Sequence, residues 1–70
     1  MKEVDLHSVK HDDVDSIIID ACAKSDFPFV VITGNSQLMK EIVEMAVVKM
    51  GCRTVESIGN PGRLIVHEDR

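Results

Sequence analysis

Tryptophan and tyrosine are absent from this 70-residue chain, and Phe27 and Phe29 are its only aromatic residues. Two phenylalanines in one short run are too few to build the stacking platform on which single-stranded bases are held. Cysteine is equally scarce. Cys22 and Cys52 stand thirty positions apart, with no C-x-x-C pair and no histidine at zinc-finger spacing, which speaks against a disulfide framework or a structural zinc site. Both sit among apolar residues and read as reduced core thiols of a cytoplasmic protein. Long hydrophobic runs are missing too: the longest, Phe27 to Ile32, covers six residues against the ~20 needed to span a bilayer, and no charged-then-apolar leader opens the chain. The last shortage is positive charge. Eight Lys and Arg face 12 Asp and Glu, for a net charge of −4, whereas a protein that neutralises phosphates needs clustered cations.

What is present is β-branched. Of 31 apolar residues, 17 are Val or Ile, an enrichment that points to sheet as well as helix. A chain of this length has room for one domain, 1–70, and buries only roughly 60% of the surface its unfolded form exposes.

Along the chain, Val4 to His7 alternates apolar and polar and predicts a strand with Val4 and Leu6 inward and Asp5 and His7 outward. From Asp12 to Lys24, Val14, Ile17, Ile18 and Ala21 fall at helical spacing, with Asp12 and Asp13 at the positive end of the dipole. Ser25-Asp26 breaks that pattern, and Phe27 to Ile32 reads as a strand buried on both faces. Thr33 to Ser36 forms a polar loop with Ser36 placed to cap a helix from Gln37 to Met50. The expected buried stripe of that helix is Leu38, Ile42, Met45, Ala46 and Lys49 or Met50, with Gly51 as its left-handed stop. Arg53 to Ile58 alternates as a third strand with Val55 inward. Gly59-Asn60-Pro61-Gly62 reads as a turn in which Pro61 takes the first central position and Gly62 accepts positive φ at the second, and Arg63 to His67 closes as a fourth strand.

The order β-α-β-α-β-β implies parallel pairing across the helices and an antiparallel last strand. The predicted architecture is an α/β two-layer sandwich: a mixed four-stranded sheet with two helices on one face and the other face open.

Three features carry chemistry. Asp5 and His7, two residues apart on a strand, share a side, so the carboxylate can orient the imidazole for general acid–base work; the alternative is a solvated strand end. The loop Thr33-Gly34-Asn35-Ser36 joins a strand to a helix N-terminus, where free N–H groups and the dipole favour a phosphate, although such a loop is also the ordinary way to turn a chain there. It lacks the Gly-Lys-Ser/Thr of a P-loop. Arg63 and His67, four residues apart on the last strand, can both lie toward the open surface, with Arg63 a candidate phosphate contact; the alternative is that both are solvated ends of that strand. His7, His11 and Asp12 do not share a helical face, which leaves no dedicated metal site.

Asp5-Leu6-His7 on a first strand, Thr33-Gly34-Asn35-Ser36 at a helix start and Gly59-Asn60-Pro61-Gly62 before a final strand resemble, in order and spacing from Val4 to Val66, the small MutS-related (Smr) domain. Two departures stand out: Ser8 replaces the glycine that usually follows the first motif, and Ser36 occupies the second glycine of H/T-G-x-G. The resemblance implies a fold similar to the C-terminal domain of translation initiation factor three and a nucleic-acid-processing role, DNA nicking or RNA endonuclease activity. It also implies Asp5 and His7 as the cleavage pair, and Thr33, Gly34, Asn35 and Ser36 as the backbone-binding loop. A divalent cation is the one cofactor such chemistry would bring. The alternatives are a module that binds DNA or RNA without cutting, and a protein-interaction or homodimerising module using the open sheet face or Phe27, Phe29 and Ile65.

The net charge is unevenly spread. Residues 1–26 carry Lys2, Lys10 and Lys24 against seven acids, −4; residues 27–66 carry four cations against three acids, +1; the last four residues add −1. The expectation is weak, salt-sensitive nucleic-acid binding by the second half, with little long-range steering.

Overall fold

The computed structural model describes residues 2–24, 27–57 and 59–68. Its elements are β1 (Lys2–Asp5), α1 (His11–Ala23), β2 (Phe29–Ile32), α2 (Gln37–Lys49), β3 (Cys52–Glu56) and β4 (Arg63–Glu68). The sheet order is β1-β2-β4-β3, with β1 parallel to β2 and β4 antiparallel to both of its neighbours. The last strand thus slots between β2 and β3, and the three strands that precede it all run the same way. The two-layer α/β arrangement and the mixed sheet are as the periodicity requires. Among the described residues no helix is long and apolar enough to cross a membrane. The Ser25-Asp26 break and the end of the third strand at Ile58 lie outside the described residues.

One face of the sheet holds the core. Phe29, Val31, Leu64 and Val66 are fully buried there against Val14, Ile18 and Ala21 of α1 and Met39, Val43, Ala46 and Val47 of α2. Burial of this kind contributes about 1.5–3 kcal/mol per large apolar side chain. On β2, Phe29, Val30 and Val31 are all buried, in keeping with the unbroken apolar run. Gly51, at φ 72, follows α2 as its left-handed stop.

Three expectations are corrected. The buried face of α2 is Met39, Val43, Ala46 and Val47, while Leu38, Met45 and Val48 are 54%, 68% and 69% exposed. The helix is apolar on two stripes of equal helical period, and the one that carries small Ala46 and β-branched valines fits closely against α1 and the sheet. On β3 the inward residues are Cys52 and Thr54, not Val55. Its register pairs Thr54 with buried Val66 and Val55 with Ile65, and so a row Val30–Ile65–Val55 runs across the open face. The Asn60–Arg63 turn forms, with the Arg63 N–H donating to the Asn60 carbonyl at 3.2 Å; Gly62, however, is not in the left-handed region, which belongs instead to Gly59 at φ 78. Pro61 and Gly62 therefore occupy a turn that does not need positive φ at its second central residue.

Candidate functional site

The first strand stops at Asp5, two residues earlier than its alternation predicts. The Leu6 N–H donates to the Ile32 carbonyl at 2.8 Å and Leu6 is 1% exposed. With Leu6 sunk into the core, the chain turns sharply, closed by the Val9 N–H on the Leu6 carbonyl at 3.0 Å. Asp5 and His7 therefore meet across a turn rather than along a strand. The His7 backbone N–H donates to Asp5 Oδ1 at 3.1 Å, and the His7 ring Nδ1 is hydrogen-bonded to the same oxygen. Both side chains are more than half exposed. The side-chain hydrogen bond from His7, then the backbone one, holds the Asp5 carboxyl below its ordinary value of 3.8. In the tautomer that donates Nδ1–H to Asp5, the imidazole carries its lone pair on Nε2.

The polar loop lies beside this pair. Gly34 adopts φ 66, and a Cβ added to it would sit 3.9 Å from His7 Cβ, so the peptide chain passes directly against the histidine. The turn before β4 closes the same corner: the Gly62 carbonyl accepts from the Thr33 N–H at 2.8 Å and the Gly34 N–H at 3.2 Å. A Cβ added to Gly62 would lie 3.5 Å from the Gly34 Cα and carbonyl carbon, in ordinary van der Waals contact, so the two backbones pack directly against each other.

The loop residues divide by role. Thr33 is 2% exposed, and its hydroxyl donates to the Gly34 carbonyl at 2.9 Å and the Gly62 carbonyl at 3.3 Å; its side chain braces the corner and has no surface to offer a phosphate. The Ser36 hydroxyl accepts from the Met39 N–H at 3.1 Å, the cap its position predicts. Asn35 is exposed. The N–H groups of Gln37 and Leu38 have no partner inside the helix ladder; those of Thr33 and Gly34 are already spent on Gly62. Any anion at this corner would therefore meet Asn35 and the first residues of α2, not the whole loop.

Arg63 enters the same corner from β4, since Asp5 pairs with Ile32 and Ile32 with Arg63 across the sheet. Its guanidinium is shared with an acid that the sequence reading overlooked: Arg63 donates to Glu3 Oε2 at 3.4 Å. Glu3 lies two residues before Asp5 on the same side of β1, and period-two alternation was the signal that could have placed it. His67 lies four positions beyond Arg63 on β4 and pairs with Arg53 of β3, away from the dyad. His11 begins α1, and among the described residues no three metal-ligating side chains gather. Phe29 is fully buried and is not available to a partner surface, in contrast to half-buried Phe27 and Ile65. No family model matches the chain, and neither a characterised protein nor a solved structure is detectably similar to it.

Proposed function

We propose that this chain is a nucleic-acid-processing domain in which His7, oriented by Asp5, moves a proton at a phosphodiester seated beside Gly34 and the start of α2. The observation that carries this reading is the meeting of an exposed Asp–His pair with a glycine loop at a helix N-terminus. The resemblance of three short motifs to those of Smr domains supports the same reading, and the substrate class is DNA or RNA in a cytoplasmic setting. Ser36 is committed to capping, and that weakens the loop as a phosphate cradle relative to a glycine-rich one. The test is incubation of the purified chain with labelled RNA and with nicked or branched DNA, with and without Mg²⁺. Cleavage should fall on the order of 10²-fold or more in His7→Ala; equal cleavage by the two proteins refutes a catalytic His7. Binding without cleavage, weakening as salt rises, reassigns the chain to a non-catalytic nucleic-acid module.

Self-association is the second reading, favoured by the exposure of Leu38, Met45 and Val48 on one side of α2. Sedimentation showing a strict monomer at high concentration removes it.

A further inference from the structure

The two cysteines play no part in the corner described above, yet the fold brings them together. Cys22 ends the buried stripe of α1 and Cys52 opens β3. Both belong to the same core cluster, at 5% and 7% exposure, and neither is in a disulfide. They wall one recess of about 200 Å³, together with Phe27, Met50, Gly51 and Glu68. The Cys52 thiol also lies 3.6 Å from the Met50 carbonyl oxygen, to which it donates. Burial pushes the Cys22 thiol up to about 11, helped by the charge and hydrogen bonding of Cys52 beside it. Metal capture is the poorer use of the pair, because among the described residues no third ligand joins them.

We infer that Cys22 and Cys52 form a reversible dithiol–disulfide couple that cross-links the end of α1 to the start of β3, with a low-molecular-weight disulfide such as oxidised glutathione as the oxidant. One cysteine thiolate attacks the glutathione disulfide and expels one glutathione thiolate, leaving a mixed disulfide on the protein. The second cysteine then displaces the other glutathione. Two protein thiols lose two electrons and two protons, the glutathione disulfide takes up both, and two molecules of reduced glutathione leave. A buried thiol held near 11 reacts slowly at neutral pH and faster as pH rises. The couple is therefore favoured by equilibrium and not by speed: the folded chain holds the two sulfurs at a high effective concentration, and the cross-link closes a long loop.

The full chain is equilibrated with glutathione redox buffers of graded ratio, once in native buffer and once in concentrated guanidinium, then quenched and weighed intact. The expected product is a monomer lighter by about 2 Da, from the loss of two hydrogens, and restored by dithiothreitol. The native effective concentration should exceed that of the denatured chain by on the order of 10²-fold or more. The oxidised form should melt on the order of 10 °C above the reduced one. Equal effective concentrations in the two solvents overturn the inference, as do a persistent glutathione adduct or disulfide-linked dimers as the main native product. In Cys22→Ala the melting temperature should no longer depend on the redox buffer. The native-to-denatured ratio is measured on the unaltered chain, and so the test survives if that variant folds poorly.

Discussion

Gly34 and Gly62 touch, and alanine at each should act in opposite directions. Gly34 stands at φ 66, where an L side chain costs roughly 1–2 kcal/mol. The added methyl meets His7 Cβ at 3.9 Å, ordinary contact, so the cost is conformational and not steric. Part of it is offset by the lower entropy of the unfolded alanine chain, which leaves a net loss of about 1 kcal/mol. For a domain of this size that lowers Tm by roughly 4–8 °C. Gly62 lies outside the left-handed region, and its added methyl sits 3.5 Å from Gly34 backbone atoms, again in ordinary contact. There the entropy gain stands alone, so Gly62→Ala should leave Tm unchanged or raise it by a few degrees. Gly62→Leu adds three carbons beyond a Cβ already in contact with the Gly34 backbone and should cost about 1–3 kcal/mol, while Gly34→Asn should be milder than Gly34→Ala, because Asn tolerates this conformation. Thermal melts of the four variants, followed by circular dichroism, decide the matter. A Gly62→Ala loss as large as that of Gly34→Ala would refute the reasoning, since it would mean that the corner is limited by space and not by backbone conformation.

Four further outcomes follow from the same geometry. The Asp5 carboxyl should titrate below 3.8 by carbon-13 NMR and move up toward that value in His7→Ala; because the folded value is depressed, the stability Asp5 contributes is complete above the ordinary value and fades as pH falls through the folded one, and an unmoved midpoint would contradict the pairing. Met39→Ala, at 3% exposure, should cost about 2–5 kcal/mol, whereas Met45→Ala, at 68%, should stay within ~0.5 kcal/mol; equal chemical-denaturation midpoints for the two would reverse the assignment of the helix face. Ser36→Ala should lose about 1 kcal/mol through the Met39 cap, read as a Tm drop that Ser36→Asp largely restores. If nucleic acid binds at the corner, Glu3→Gln should steepen the dependence of log K on log salt by about 0.7–0.9 as Arg63 turns to a phosphate, with stability changed by no more than ~1 kcal/mol; an unchanged slope would show that Arg63 does not contact the ligand.

The element order was legible because each element carries one dominant local signal: a helical stripe on α1, an unbroken apolar run on β2, a Ser36 cap and a Gly51 stop on α2. Where two signals compete, local pattern loses its grip. Residues 38 to 48 place apolar side chains on two helical stripes, and only packing against α1 and the sheet selects Met39, Val43, Ala46 and Val47. Thr54 and Val55 present the same ambiguity on a short strand, resolved by the register with β4. In the candidate site, the Asp5–His7 pairing followed from spacing, though its mechanism is a turn and not a strand. The contact between Gly34 and Gly62 and the Glu3–Arg63 ion pair join residues 28 and 60 positions apart. No local period encodes distances of that kind; they arise from the insertion of β4 between β2 and β3.

That insertion also bears on how an acidic chain would meet a phosphate. A two-layer sandwich puts its helices on one side and its bare sheet face on the other, and the acids of α1 therefore belong to the helical layer. Two of them are already matched there, Asp15 by Lys49 at 2.9 Å and Asp20 by Lys24 at 3.0 Å. The second half of the chain, with its small positive balance, supplies β3 and β4 and thus Arg53, Arg63 and His67 across the sheet. Glu3 and Asp5 on β1, across β2 from β4, return negative charge to that same side, and Glu3 takes the arginine nearest the dyad. The sheet side is thus close to balanced and not basic. Attraction at distances beyond the Debye length of about 8 Å would be slight, and a phosphate would be held only after contact, by Arg63 exchanging its carboxylate partner and by the first N–H groups of α2. Weak association with a modest salt slope would follow from that exchange, because Arg63, the cation gained by the phosphate, is already paired with Glu3 in the free protein.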